Sequence, residues 1–147
     1  MATTARGAVP VRNIVVGVDG SDAAWRALAV AIDVAFCYHG AVHACFVWPL
    51  TATEKRAGFS AAPVSPGESD GDEERLSGAV VKALRDAGAE GDFVQREGEI
   101  GSELEALASS SDAEMIVVGR SRHPTLHLGG VPRHLLGMGR RLVLVVP

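Results

Sequence analysis

Four short apolar runs punctuate this chain, and none of them alternates. Asn13–Val18 reads NIVVGV, Val42–Trp48 VHACFVW, Met115–Val118 MIVV and Leu142–Val146 LVLVV. A strand with one wet face alternates apolar and polar residues, whereas a continuous run belongs to a strand covered on both faces. Helical patterns lie between the runs. Trp25, Leu28, Ala29, Ile32, Ala35 and Phe36 fall on one stripe, with Gly40 placed to stop that helix. Asp72–Ala87 reads as a helix with Leu76, Val80, Ala83 and Leu84 on one face. Asp92–Arg96 reads as a weaker strand. Ser102-Glu103-Leu104-Glu105 has capping-box spacing and opens a short helix through Leu107 and Ala108. Pro132–Leu136 begins a last helix that Gly137 or Gly139 stops. Strands alternating with helices specify an α/β fold: a single doubly wound domain, a parallel sheet with helices on both faces, and right-handed crossovers.

The 147 residues suit one domain, and a chain of that length buries roughly 68–70% of its unfolded surface. We expect a flexible N-terminus over 1–10 and a domain over 11–147. The loop at 49–71, opened by Pro49 and carrying Pro63 and Pro66, is expected to be mobile. A net charge of −4 argues against nucleic acid as a partner. Met1–Pro10 lacks the apolar core of a signal peptide, and Ala27–Phe36, interrupted by Asp33, is too short to span a bilayer. The expectation is a cytoplasmic protein with no membrane partner. Cys37 and Cys45 have no CxxC spacing and read as free thiols in a reducing compartment.

Charge is unevenly distributed. From Met115 to Pro147 there is no Asp or Glu, but there are Arg120, Arg122, Arg133, Arg140 and Arg141. Doubly wound folds bind ligands beyond the carboxyl ends of their strands, where strand order reverses. Two turns carry suitable residues: Val18-Asp19-Gly20-Ser21 after the first strand, and Gly119–Val131 after the fourth. The second reads VVGRSRHPTLHLGG from Val117: an apolar strand, a glycine, a basic loop and a glycine pair, the order of an anion site. Arg120 and Arg122 offer forked cationic donors, and Gly130 offers a backbone N–H at the start of a helix. The other reading is a loop that has lost its ligand, its arginines solvated or paired with acids elsewhere. His123 and His127 have a helical metal spacing, but Pro124 opposes a helix and no third ligand is near, so no metal is expected. There is no nucleophile–base pair, no Walker lysine and no GxGxxG. No catalytic residue emerges, and at most a slow ATPase is expected.

NIVVGVDGSDAAWRALAVAIDVA near the start, VQREGEIGSELEALASSSDA in the middle and DAEMIVVGRSRH…GGVPRHLL…LVLVVP at the end together resemble the universal stress protein family of the UspA type. The resemblance implies a five-stranded parallel sheet of order 3-2-1-4-5 and an adenine nucleotide (ATP, AMP or cyclic AMP) bound between strands one and four. The residues it points to are Val18, Asp19, Val47, Val118, Gly119, Arg120, Arg122, Gly129, Gly130 and Val131. Nucleotide-binding members carry Gly, two residues, Gly, nine residues, then Gly-Ser or Gly-Thr. Gly119 matches the first glycine, but Arg122 replaces the second. Six residues separate Arg122 from Gly129, and the final pair is Gly129-Gly130. The resemblance further implies a homodimer through Leu142–Val146. Two functions follow as expectations: a dimeric, nucleotide-dependent regulatory switch in stress response, or a protein-interaction module with a degenerate pocket and an unknown protein partner.

Overall fold

The structure, a computed structural model, describes residues 11–48, 69–120 and 130–147. The N-terminus 1–10, the loop residues 49–68 and the segment 121–129 lie outside the described residues. Arg122, His123, His127 and Gly129 are therefore outside them too.

The elements alternate as expected: β1 (Asn13–Gly17), α1 (Asp22–Tyr38), β2 (Ala41–Trp48), α2 (Ser69–Asp86), β3 (Gly91–Glu97), α3 (Ile100–Ser110), β4 (Met115–Gly119), α4 (Gly130–Met138) and β5 (Leu142–Val146). They build one five-stranded sheet of order β3-β2-β1-β4-β5, every pairing parallel. Ile14, Val15 and Val16 of the central strand are fully buried. The pleat divides each apolar run between two cores. Ile14, Val16, Val42, Ala44 and Val117 pack with α1 and α2 residues such as Leu28, Ile32, Val80 and Leu84. Val15, Cys45, Val47, Ile116 and Val118 pack with Leu104, Leu107 and Ala108 of α3 and Leu135 of α4. This two-sided burial is why the runs do not alternate.

Three local expectations need correction. The apolar stripe of α1 is rotated: Phe36 and Ala29 face outward, and Ala23, Ala24, Ala27, Ala31 and Ala35 are buried beside Leu28 and Ile32. Small side chains let the helix backbone approach the sheet, which a phenylalanine would hold off. The residue that turns α1 off is His39, in the left-handed region at φ 55. Gly40 is needed for a different reason, because a Cβ there would sit 2.6 Å from the Val11 carbonyl oxygen. α2 begins at Ser69, so the expected loop is shorter by its last residues. Asp72, Glu73 and Glu74 in its opening turns suit the positive end of the helix dipole.

The third correction concerns α3. The expected capping box at Ser102 is not the cap. Glu99 is, its carboxylate accepting from the Gly101 N–H at 3.0 Å and the Ser102 N–H at 2.7 Å. Glu105, assigned to the box from sequence, is buried in the protein instead. Its Oε1 accepts from Arg141 Nε at 2.8 Å. The same guanidinium donates to Ser109 Oγ at 2.8 Å and to the Ala113 carbonyl. One of the five arginines of the basic quarter thus belongs to a buried structural pair. Removing one partner of such a pair strands the other charge and costs about 3–5 kcal/mol, whereas an apolar pair of similar volume is close to neutral. We expect Glu105→Leu to lower unfolding stability by about 3 kcal/mol, and the double variant Glu105→Leu/Arg141→Met to recover most of it. Urea unfolding of the two variants measures the difference.

Candidate functional site

Strand order reverses between β1 and β4, so the turns that follow those strands lie side by side at the carboxyl end of the sheet. After β1, Asp19 Oδ1 accepts from the Ser21 N–H at 2.9 Å. Gly20 takes φ 81, and Ser21 Oγ accepts from the Ala24 N–H at 3.2 Å to cap α1. Asp19 therefore performs turn chemistry while remaining exposed to solvent. After β4, the Arg120 N–H donates to the Val146 carbonyl at 2.7 Å, which extends the β4–β5 ladder by one residue and leaves the Arg120 side chain exposed. Gly130, exposed, opens α4, and a Cβ there would meet no described residue within 4 Å.

The structure brings together most of the sequence-derived residues that it describes. Val47 and Val118 are buried on the face covered by α3 and α4, and Val131 packs against the same cluster. Val18 is buried on the opposite face, against α1. Gly119 has a packing reason to be glycine: a Cβ would lie 2.6 Å from the Ala23 carbonyl carbon and 2.8 Å from the Ala24 nitrogen. A cleft of about 190 Å³ lined by Ala35, Phe36, His39, Gly40, Gly88, Ala89 and Glu90 lies at the other end of the sheet, away from these turns. Burial pushes the Cys45 thiol up to about 11, so it is no nucleophile. Among the described residues no group of three or more His, Cys, Asp or Glu is placed to hold a metal ion. No helix among them is long and apolar enough to cross a membrane.

The model of the universal stress protein family matches residues 10–147. The chain belongs to the universal stress protein family. No curated protein sequence matches it significantly. Among solved structures, it is similar to a universal stress protein family member from Burkholderia pseudomallei, 22% identical over 96% of this chain and 99% of that one, with a TM-score of 0.68. It is similar to the universal stress protein from Archaeoglobus fulgidus in complex with dAMP, 23% identical over 94% and 99%, with a TM-score of 0.69. It is also similar to a universal stress protein in complex with cAMP, 20% identical over 94% and 98%, with a TM-score of 0.70.

One cluster of this universal stress protein was not legible in the sequence. α3 and α4 both start at the carboxyl end of the sheet, and His134 of α4 lies against the first turn of α3. His134 Nε2 is 3.4 Å from Ser102 Oγ and 3.6 Å from Glu99 Oε2. Gly101 has no Cβ, and one there would sit 2.6 Å from the His134 ring. The partners are distant in sequence and carry no motif; a glycine in the first turn of an apolar helix was the available hint. Burial opposes ionisation of Glu99, but hydrogen bonds from Ser102 and Gly101 and the nearby His134 outweigh it and hold its pKa below the usual glutamate value. A depressed native pKa stabilises the fold above the unfolded value of about 4.3, and that contribution is lost as pH falls through the lower native value. Glu99→Gln should therefore melt below the native protein at neutral pH, the gap closing in the acid range. Thermal melts of both proteins between about pH 7 and pH 2 check this; a pH-independent gap would assign the cap to shape rather than charge.

Proposed function

We propose that this universal stress protein is a dimeric regulator in stress response that holds an adenine nucleotide with a short phosphate chain at the β1–β4 switch point. The observation behind the proposal is the juxtaposition of Asp19 after β1 with Gly119 and Arg120 after β4, near Val47 and Val118 at the ends of their strands. In this reading Asp19 and Val47 serve the adenosine side, with Val18, Val118 and Val131 shaping the surrounding wall. Arg120 and the Gly130 N–H serve phosphate. Arg122 and Gly129, outside the described residues, enter by sequence alone. Relatives in complex with cAMP and dAMP support the class of ligand; both molecules carry one phosphate. A loop of six residues between Arg122 and Gly129 leaves less chain to wrap a triphosphate.

Mass spectrometry of the purified, denatured protein should release a bound adenine nucleotide. Calorimetric titration should give tighter binding of AMP or cyclic AMP than of ATP. A charge-assisted hydrogen bond contributes about 1.5–3 kcal/mol, so Arg120→Ala should weaken binding roughly ten- to a hundredfold. Absence of binding by any of these nucleotides at millimolar concentration would overturn the reading. It would favour the interaction module instead, for which the packing role of Gly119 is the specific support, since that glycine is required with or without a ligand.

The proposed dimer rests on β5. It is an edge strand whose residues are all apolar, and Leu142 is 58% exposed. Such an edge invites pairing, and an isologous pairing of two β5 strands closes it. We expect Val143→Lys or Val145→Lys to give monomer or insoluble protein. Light scattering of the unmodified protein decides the matter, a monomer at high concentration excluding the interface.

A further inference from the structure

We infer that His134 is a positioning residue: it pins α4 to the first turn of α3, and so helps to place the start of that helix at Gly130. This inference rests on the nucleotide reading above for its consequence, and on geometry for the joint itself. Besides the packing of Val131, Pro132 and Leu135, two polar attachments among the described residues join α4 and the chain just past it to α3. Just past its carboxyl end, Arg141 is locked to Glu105, Ser109 and the Ala113 carbonyl of the α3 region. That attachment is built from largely buried groups, since Glu105 is 6% exposed. Toward its amino end the attachment is the His134 ring. It lies against Gly101, a buried glycine with no room for a Cβ. Its Nε2 faces Ser102 Oγ at 3.4 Å and Glu99 Oε2 at 3.6 Å, and Glu99 is itself fixed by the two backbone N–H groups it caps.

The two attachments differ in strength. Arg141 makes several hydrogen bonds in a largely buried pocket, while the His134 contacts are long and partly exposed, with the side chains of His134 and Glu99 40% and 30% accessible. α4 is short, Gly130–Met138, and its apolar hold on the sheet is limited, with Pro132 and Leu135 its buried residues. Loss of the His134 joint therefore loosens the amino end, left with the packing of Val131 and Pro132 alone, more than the carboxyl end, which keeps the Arg141 anchor. A backbone donor displaced by about 1 Å loses most of a hydrogen bond to a fixed acceptor. The ligand contact at Asp19, in the turn after β1, does not depend on α4, and Val47 is held within the sheet by β1 and β3 on either side of β2. The effect should thus fall on phosphate and spare adenosine, a split that a general loss of stability would not produce.

Three variants test the joint. His134→Ala removes it, Gly101→Ala pushes the ring away with a new Cβ, and His134→Gln keeps a side-chain N–H donor. Hydrogen exchange, which needs no ligand, should show the His134–Leu136 amides, the first with acceptors inside α4, exchanging about tenfold faster in the first two variants. Protection of Leu142–Val146 should be unchanged, and His134→Gln should lie within about threefold of the native protein. Titrations of the same proteins with adenosine and with AMP should show AMP affinity reduced about tenfold by His134→Ala and Gly101→Ala, and adenosine affinity unchanged. Native exchange rates in folded Gly101→Ala and His134→Gln, together with loss of α4 protection no greater than that of the whole domain in His134→Ala, would overturn the joint. Equal losses for adenosine and AMP would overturn its positioning role. Absence of any nucleotide binding by the native protein would overturn the nucleotide reading instead, and the exchange data would still decide the joint.

Discussion

Complete burial of β1 is the constraint on which the rest of the molecule depends. Ile14, Val15 and Val16 have no exposed surface, with β2 on one side and β4 on the other. A parallel strand has no hairpin to hold it, so its neighbours arrive by crossovers, and each crossover must be a helix able to cover a face. Two helices per face satisfy that demand. The reversal of strand order on either side of β1 is the same fact seen from the end of the sheet. It leaves two turns adjacent without a crossing connection between them, and Asp19 and Arg120 are exposed there.

What was legible in the sequence follows from this constraint. A strand buried on both faces is apolar along its buried positions, so NIVVG and MIVVG declared themselves; LVLVV is as apolar although it is the sheet edge and only Val146 in it is buried, and alternation with helices gave the fold class. Helix faces were less legible. In α1 the aromatic residues at helical spacing pointed to the wrong stripe, because close packing against a sheet rewards alanine more than phenylalanine, and hydrophobicity alone ranks them the other way. Caps failed where a competitor was better placed: Ser102 has the right spacing, but the helix has already begun at Ile100, capped by the Glu99 side chain, which accepts from the Gly101 and Ser102 N–H groups.

The site was legible in part for a related reason. Its position depends on strand order, which came from the family resemblance rather than from spacing. Asp19, Arg120 and Gly130 then fall where the topology requires. The contacts that hold the surrounding helices together, Glu105 with Arg141 and His134 with the first turn of α3, join residues more than thirty positions apart. Neither pair leaves a local pattern. The charge asymmetry of the last quarter of the chain divides in the structure: Arg120 is an exposed cation at the switch point, whereas Arg141 pairs with an acid in a helix upstream.

Glycines in a degraded motif are usually taken as remnants of a ligand site, and this chain separates two kinds. At Gly119 a Cβ would strike the backbone of Ala23 and Ala24, so glycine is demanded by the approach of α1 to the end of β4. That demand persists whether or not a ligand binds, and retention of Gly119 therefore says nothing about the ligand. At Gly130 no described residue comes within 4 Å of a Cβ placed there, so the described residues place no such demand on it. In a family fold the residues that inform about a ligand are those that the fold does not need, and Gly119, the glycine that matches the motif, is not one of them.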